Sequence, residues 1–436
     1  MGLSRRKFLG SSAAAVVVAG TMAKGKVFGA NDRIRVANMG IHGQGGSHIR
    51  DCVKNERSEV VALCDVDANV LSERIAQVKE AQGTAPKGYT DIRDLLTDDS
   101  IDVLTIATPN HWHSLAAIWA CKAGKDVYVE KPLSHNVWEG RQLVAAAAKY
   151  GRIVQHGTQQ RSSSGMRRDI KLMHDGFIGD IVHSRGYVYK NGNRHSIGHG
   201  APATPPAYLD WNLWQGPAQE TDYLAKPDGS GLFVHYNWHW TWPYGNGEIG
   251  NQGVHEMDVA VWGHNRGEPV RVQSMGGRYA WDDDGNTPNT QATCFTYEDG
   301  SMLTFEVRNL GSYGEGGSGS CSNAFFGTEG YYVRGVGFFD YQNKPIEVTV
   351  EAEPGKHKFD YFFDAVISRK QEDASVSVED AHVSCVHCHL GNVAYRLGTS
   401  LEFCTKKERF VGDDHRKANK LLDRDYRDDF EVPKLA

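Results

Sequence analysis

An apolar run, residues 127–129, stops at the triplet Glu130-Lys131-Pro132. One interpretation is a strand that ends at the surface, where charged side chains reach water and proline cannot continue the ladder. Another is a lysine fixed at the carboxyl edge of a parallel sheet, where open α/β sheets place their ligands. An ammonium group there can polarise a carbonyl or stabilise an alkoxide. The elements around Lys131 decide between the two.

A glycine-rich turn follows the apolar run at residues 34–39. In the pattern Gly-x-Gly-x-x-Gly, Gly40 and Gly45 take the first and third places, and His42 takes the second. Such a turn lets the backbone approach a pyrophosphate at a helix N-terminus. The turn residues that we predict to bind a dinucleotide are Gly40, His42, Gly43, Gln44 and Gly45.

Asp65 ends the next apolar run, about where a carboxylate binds the ribose hydroxyls of NAD. A carboxylate at this place repels a 2′-phosphate, so the sequence favours NAD over NADP as the cofactor. The alternative is that Asp65 caps the helix predicted at residues 68–82.

Apolar runs without alternation, separated by helical patterns, recur from residue 33 to about residue 157. Strands are predicted at residues 34–39, 60–65, 102–110 with a turn, 126–129 and 152–157, and helices from about residue 47 and at 68–82, 114–123 and 136–150. Such strands lie in a parallel sheet covered on both faces. The sheet would bring Asp65 and Lys131 to one edge.

After about residue 180 the strands alternate apolar and polar residues and are joined by turns. We therefore predict an α/β fold with an N-terminal Rossmann dinucleotide-binding domain at residues 31–160. A second α/β domain, built on a mostly antiparallel open sheet, follows at residues 161–405, and a charged tail at residues 406–436. A chain of 436 residues is long enough to form two domains, each with its own hydrophobic core.

Residues 1–30 are predicted to be a twin-arginine signal, because SRRKFLG at residues 4–10 precedes a weakly apolar stretch. The partner would be the twin-arginine export machinery, which carries folded proteins, often with a cofactor in place. We expect a periplasmic protein, or one anchored on the outer side of the membrane. The net charge of −6 argues against nucleic acid as a partner.

Four features stand in a specific order: the turn at residues 40–45, Asp65, TPNHWH at residues 108–113, and the Glu-Lys-Pro triplet at residues 130–132. In this order the chain resembles the glucose–fructose oxidoreductase/inositol dehydrogenase/MocA family over nearly its whole length after the signal. The resemblance implies that the open sheet forms contacts in a homo-oligomer.

The resemblance also assigns cofactor residues around the nicotinamide. It implies that Thr108, Asn110 and His113 lie along the nicotinamide side of the cofactor and that Glu130 lies near its ribose. Lys131 would touch both the nicotinamide region and a substrate hydroxyl, as a catalytic residue.

The second signature of this family is an aspartate followed four residues later by a histidine on one helix face. Here His255 takes the histidine place, but Asn251 stands where aspartate is usual. His255 could take the proton from a substrate hydroxyl, and Asn251 could orient that hydroxyl without carrying charge. Asp258 is a further predicted substrate contact. A buried core histidine is the alternative for His255.

Aromatic residues are dense just before this signature, at residues 235–247. Flat rings suit the apolar faces of sugars, so we predict that Trp240 binds substrate, although a local aromatic core is the alternative. Arg161 either faces the cleft as a substrate ligand or is a solvated arginine.

Cysteines 385 and 388 with His389 spell the C-x-x-C-H of haem attachment. The surrounding apolar residues recur at helical spacing, and four ligands within five helical residues cannot all face one zinc ion. We predict a structural helix here and no metal site.

Three functions remain open at this level. The first is an exported NAD-dependent oxidoreductase that acts on a secondary hydroxyl of a sugar or polyol through Lys131 and His255. The second is an NAD-dependent glycosidase that works by oxidation, elimination, addition and reduction. The third is a non-catalytic nucleotide-binding module, against which Lys131 and His255 together weigh.

Overall fold

The computed structural model describes residues 32–190, 194–311 and 320–436, so the predicted signal at residues 1–30 lies outside the described residues. The first domain alternates strands and helices. Its elements are β1 (Ile34–Met39), α1 (Gln44–Lys54), β2 (Ser58–Cys64), α2 (Ala68–Gln82), β3 (Lys87–Tyr89), α3 (Ile92–Leu95), β4 (Val103–Ile106), α4 (Asn110–Lys122), β5 (Asp126–Val129), α5 (Val137–Tyr150) and β6 (Val154–His156).

Within the described chain these strands form a six-stranded parallel sheet in the order β3-β2-β1-β4-β5-β6. This is the order of a Rossmann fold, with its switch point between β1 and β4. Every residue of β4 and β5 is buried, which explains why their sequences show no alternation. The predicted parallel sheet is confirmed, and the short edge strand β3 is an addition to it.

Helix α4 begins at Asn110, earlier than the predicted residue 114, and Pro109 takes the position before its first turn. Proline fits a helix start because its fixed φ suits the first turn and it has no N–H to leave unpaired. Residues 110–113 of the TPNHWH motif therefore form the first turn of a helix rather than a loop.

The second domain contains α6 (Ser164–His174), β7 (Ile181–Tyr189), β8 (Ala201–Pro202), α7 (Trp211–Gln215), β9 (Leu224–Ala225), α8 (Gly247–Gly250), α9 (Gly253–His264), β10 (Arg271–Gly277), β11 (Thr290–Thr296), β12 (Met302–Arg308), β13 (Cys321–Gly327), β14 (Tyr331–Val333), β15 (Gly337–Phe339), β16 (Pro345–Ile346), α10 (Lys358–Ser368), α11 (Val378–Leu397), β17 (Leu401–Cys404), β18 (Arg409–Val411) and α12 (His415–Asn419). Short 3₁₀ helices lie at Gln159–Ser162, Asn237–Trp240, Gln371–Asp373 and Thr405–Lys407.

Ten strands of the described second domain form one sheet in the order β16-β15-β14-β13-β7-β12-β11-β10-β17-β18. The pairing is antiparallel except between β7 and β12, which confirms the mostly antiparallel sheet. Helices α9 and α11 pack against each other and against this sheet. None of the described helices is both long and apolar enough to span a bilayer.

The chain returns to the first domain through α10 and the C-terminal tail. Phe359 and Phe362 of α10 are fully buried in one core with Val36 and Tyr128 of the parallel sheet. In the tail, Phe430 is buried and its ring packs edge-on against Trp112 of α4. The two domains therefore share buried apolar surface, which fixes the cleft between them.

This packing predicts that Phe362→Ala lowers the free energy of unfolding by about 3–5 kcal/mol, because the change leaves a cavity in the shared core. The measurement is urea unfolding followed by circular dichroism. Ile367→Ala on the same helix is the matched control, since Ile367 is 45% exposed, and it should change the free energy by no more than about 0.5 kcal/mol. Equal effects of the two changes would contradict this account of α10.

Candidate active site

A cavity of about 690 Å³ lies at the carboxyl edge of the parallel sheet, between the two domains. Its size is within the range of small-molecule and cofactor sites. The predicted residues that line it are Gly40, His42, Gly43, Gln44, Asp65, Thr108, His113, Glu130, Lys131, Asn251 and His255. The predicted residues outside the lining are Gly45, Asn110, Arg161, Trp240 and Asp258.

The glycine turn packs so closely that side chains are excluded at two positions. Gly40 has a φ of +72°, and a Cβ there would lie 2.6 Å from the backbone nitrogen of Thr108. A Cβ at Gly45 would lie 2.0 Å from the carbonyl oxygen of Gly40, so this glycine lets α1 approach β1. At Gly43 nothing lies within 4 Å of an added Cβ. This cradle at the start of α1 fits the pyrophosphate of a dinucleotide.

Asp65 joins the cradle to the end of β2. Its carboxylate accepts hydrogen bonds from the backbone N–H groups of Ile41, at 2.8 Å, and Asp67, at 3.0 Å. Burial raises the pKa of Asp65, against the effect of these two bonds. The cap of α2 is Asp67, whose side chain accepts from the N–H groups of Asn69 and Val70. Asp65 is therefore not the helix cap, and it lines the cavity beside the glycine turn.

Glu130 is a buried carboxylate that ties β5 to the start of α1. Its Oε1 accepts from Gln44 Nε2 at 3.1 Å and lies 3.0 Å from His48 Nε2. Burial raises the pKa of Glu130, but the bond from His48 and the charge of Lys131 outweigh burial and hold that pKa below its usual value. An ionised carboxylate therefore stands beside the ammonium group of Lys131.

The segment that follows β4 contributes Thr108, just before α4, and His113, in the first turn of α4, to the cavity lining, but not Asn110. The ring nitrogens of His113 lie 2.6 and 2.9 Å from the carbonyl oxygens of Pro132 and Thr108, so this ring joins the ends of β4 and β5. The prediction for Asn110 is wrong: its side chain is buried and donates to Asn246 Oδ1 at 2.9 Å. As the first residue of α4, Asn110 faces the second domain.

Lys131 and the second-domain signature meet in the cavity. Lys131 Nζ donates to Asn251 Oδ1 at 3.1 Å. Asn251 lies between α8 and α9, so it does not share a helix face with His255 as predicted, but both residues line the cavity. Burial lowers the pKa of Lys131, although the charge of Glu130 opposes this. Burial, with the nearby charge of Lys131, lowers the pKa of His255 to about 3. The interpretation of Lys131 as a surface strand end is therefore wrong.

Asp258 and Arg161 were predicted to contact substrate, and the structure contradicts both predictions. The Arg161 guanidinium donates Nε and Nη2 to the Asp258 carboxylate, at 2.9–3.2 Å, and Ser384 donates to the same carboxylate at 2.8 Å. Asp258 is fully buried. It faces α11, because Ser384 of that helix donates to its carboxylate. The ion pair holds α9 in place behind His255.

Trp240 is also wrongly predicted. It is 3% exposed and packs with Ile197 and Leu232, away from the cavity. Its neighbours in the same 3₁₀ helix, Trp238 and His239, line the cavity instead. The aromatic density pointed to the correct segment, but only the backbone path decides which rings face inward.

A segment that we call the strap, residues 208–240, crosses the carboxyl edge of the parallel sheet. It pairs there with the start of α2, since Ala68 donates its N–H to the Tyr208 carbonyl at 2.8 Å. Further along the strap, the His235 ring stacks on His42 with centroids 4.3 Å apart, and His235 Nε2 lies 3.1 Å from Asp67 Oδ2. The strap therefore covers the glycine cradle. Sequence patterns did not indicate this enclosure.

The C-x-x-C-H segment lies within the continuous helix α11, as predicted. The Cys385 sulfur accepts from the N–H of Leu133 at 3.2 Å, and the Cys388 thiol donates to the carbonyl of Ile249 at 3.3 Å. Both cysteines are fully buried. They pack α11 beneath the active site, where Cys385 contacts Leu133, the residue directly after Pro132.

Family models cover most of the chain in two parts. Residues 34–158 match the model described as "Oxidoreductase family, NAD-binding Rossmann fold", and residues 180–432 match "Oxidoreductase family, C-terminal alpha/beta domain". Both carry the name GFO_IDH_MocA, and the second alone spans more than half of the chain.

Curated relatives include proteins named "Glycosyl hydrolase family 109 protein". The one from Shewanella pealeana is 29% identical over 218 residues, covering 44% of this chain and 47% of the relative. The one from Saccharopolyspora erythraea is 30% identical over 166 residues, covering 37% and 36%. The chain thus spans less than half the length of these relatives.

Solved structures share the fold at low identity. The WlbA dehydrogenase from Bordetella pertussis, in complex with NADH and UDP-GlcNAcA, has a TM-score of 0.61 and 20% identity, with 85% of this chain and 99% of that chain covered. The apo scyllo-inositol dehydrogenase from Lactobacillus casei has a TM-score of 0.56 and 18% identity, with 85% and 98% covered. The chain belongs to the Gfo/Idh/MocA oxidoreductase family, with an NAD-binding Rossmann domain and the C-terminal α/β domain of that family.

Proposed function

We propose that this protein transfers hydride between NAD and a secondary hydroxyl of a sugar or polyol. The observation that carries the proposal is the convergence of Lys131, Asn251 and His255 in the cavity that also contains the glycine cradle. A cation, a neutral base and a dinucleotide site in one enclosed space are the parts that oxidation of an alcohol needs.

The bound NAD⁺ would accept the hydride, and the side chains of this chain would manage the proton. His255 is neutral because burial and Lys131 lower its pKa to about 3, so it can take the hydroxyl proton. The Lys131 ammonium stabilises the developing alkoxide and then the carbonyl oxygen. Asn251 holds that ammonium by the hydrogen bond from Nζ without adding a second charge.

A second candidate function is NAD-dependent glycoside hydrolysis, which the family 109 relatives favour. In that cycle, oxidation at C3 acidifies the C2 proton, the aglycone leaves C1, water adds, and hydride returns to C3. The strap supports this candidate too, because an enclosed cofactor that is regenerated in each turnover has no need to leave.

Location and assembly are part of the proposal. SRRKFLG supports export by the twin-arginine route, and a cofactor site covered by the strap suits export in the folded state. A homo-oligomer through the open sheet is supported by Met275, 65% exposed, and Met302, 37% exposed, on that sheet. Cell fractionation and light scattering test these two points, and a cytoplasmic or monomeric protein would contradict them.

The general test uses purified protein without added NAD. It is incubated with free sugars and polyols, and separately with nitrophenyl glycosides. Absorbance of bound NADH with free sugars supports the oxidoreductase, whereas nitrophenol released without net NADH supports the glycosidase. Neither signal with any compound would sink both candidates.

We expect NAD(H) to remain bound during purification, because the strap closes over the cradle. Denaturing the protein and assaying the supernatant for nucleotide measures this. Asp65→Ala should weaken NAD binding and reduce the bias against NADP, since the carboxylate no longer repels a 2′-phosphate. A native protein that binds NADP more tightly than NAD would contradict this role of Asp65.

Lys131→Met and His255→Asn should each slow single-turnover reduction of bound NAD⁺ by about 10²–10⁴-fold, the usual contribution of acid–base groups. NAD content should stay close to that of the native protein. Lys122→Met, at an exposed position on α4, is the control and should leave the rate unchanged. A near-native rate in Lys131→Met would contradict the catalytic role of Lys131 and leave it a structural one.

The single-turnover rate should not fall in mild acid, as it would if the base were an ordinary histidine with a pKa of about 6.5. Burial, Lys131 and His156 lower the pKa of His255 to about 3, against the charges of Glu130 and Asp258. A lowered pKa keeps the imidazole neutral in acid, so the single-turnover rate should be the same at about pH 5 as at about pH 7. A limb centred between these values would contradict it.

A further inference from the structure

His239 is a buried imidazole whose tautomer is fixed by its neighbour. Its Nδ1 lies 2.6 Å from the carbonyl oxygen of Tyr236. A carbonyl oxygen only accepts, so Nδ1 carries the proton and donates it. Among the residues that the structure describes, Nδ1 is the ring nitrogen of His239 that makes a hydrogen bond, and Nε2 makes none. The imidazole therefore presents an unprotonated Nε2.

The ring is also held in one orientation inside the active-site cavity. It stacks on Trp238, with centroids 3.6 Å apart and planes at 19°, and it lines the cavity together with Lys131 and His255. Burial, followed by the charge of Lys131, lowers the pKa of His239 well below that of an ordinary histidine. His239 and His255 are therefore two neutral imidazoles in the cavity that contains the Lys131 ammonium group.

His113 shows what a histidine used only for structure looks like in the same cavity. Both of its ring nitrogens face backbone carbonyl oxygens, at 2.6 and 2.9 Å, so it has no nitrogen left for a ligand. His239 differs because only one nitrogen is used to position the ring.

Hydride transfer at an alcohol releases one proton, and His255 suffices to take it. A second fixed base has a use only if the substrate loses a second proton. The position that becomes acidic after oxidation is the C–H next to the new carbonyl, since the carbonyl oxygen can take the negative charge.

We propose that His239 is a second catalytic base, which removes the C2 proton of a glycoside after oxidation at C3. This inference rests on the proposed function and selects its glycosidase candidate. The substrate class is a glycoside with a hydrogen at C2 and a free hydroxyl at C3.

The step balances as follows. Bound NAD⁺ would accept hydride from C3 while His255 takes the hydroxyl proton, and the C3 carbonyl forms beside Lys131. His239 Nε2 then takes the C2 proton, the electrons of that C–H bond form the C1–C2 double bond, and the bond from C1 to the aglycone oxygen breaks. The departing alkoxide takes a proton from the water molecule whose hydroxyl group adds to C1. His239 returns its proton to C2. The reduced cofactor would return hydride to C3 while His255 returns its proton to the C3 oxygen.

A lowered pKa makes His239 a weaker base, but it also keeps the imidazole unprotonated at working pH. Its weakness is offset at the substrate, because the Lys131 ammonium beside the C3 oxygen stabilises the enolate that the proton loss creates. One cation thereby serves both proton transfers.

The test uses the holoenzyme in D₂O with nitrophenyl α- and β-glycosides of glucose, galactose, mannose and N-acetylgalactosamine. Three signals are followed: bound NADH, deuterium at C2 of the recovered sugar, and released nitrophenol. His239→Asn is the variant, because its amide can still donate to the Tyr236 carbonyl while the base is lost. His174→Asn, at an exposed position on α6, is the control.

His239→Asn should lower C2 exchange and nitrophenol release by about 10²–10⁴-fold, while single-turnover NADH formation keeps its rate and the control variant behaves as native. Unchanged exchange would overturn the proposal. An equal loss of exchange and of NADH formation would also overturn it, since His239 would then only shape the cavity.

The same two signals, measured with the native protein, distinguish a failure of this inference from a failure of the proposed function on which it rests. NADH formation without C2 exchange would overturn the role of His239 and leave the oxidoreductase standing. No NADH formation with any glycoside or free sugar would overturn the proposed function itself.

Discussion

The active site depends on one constraint: the six described strands of the first sheet are parallel, so their carboxyl ends meet at one edge. The turn after β1, Asp65 after β2, the helix start after β4 and Lys131 after β5 reach that edge from distant parts of the sequence. The tight packing of Gly40 and Gly45 then draws α1 against the sheet. Without parallel strands these groups would lie at opposite ends of the domain.

Burial of charge at this edge governs the chemistry. The Glu130 carboxylate makes its hydrogen bonds with Gln44 and His48 on α1, within the first domain. Lys131 points across the cleft to Asn251, a neutral partner. An aspartate at that place would hold the ammonium more strongly and raise its pKa, whereas the amide leaves its charge free to act on a substrate oxygen. Asn251 therefore positions the Lys131 ammonium group without adding a negative charge.

Much of the fold follows from the sequence because buried parallel strands and their helices have distinct patterns. The bounds of β1, α2 and β5 agree with the prediction, while α4 starts earlier because Pro109 opens it. Motifs with fixed positions on the sheet, such as Asp65 and Lys131, also lie where expected. Asp258, Arg161 and Trp240 were wrongly placed, because their direction depends on partners that only the tertiary structure supplies.

The strap shows why the remaining site residues could not be predicted. Its path over the cradle is set by contacts such as His235 with His42 and Asp67, which lie far away in sequence. Along the 3₁₀ helix, Trp238 and His239 line the cavity while the next residue, Trp240, packs in the core, so composition cannot separate His239 from Trp240. The same path that covers the cofactor cradle also carries His239 to Lys131. Enclosure of the glycine cradle and placement of the second imidazole are thus consequences of one backbone segment.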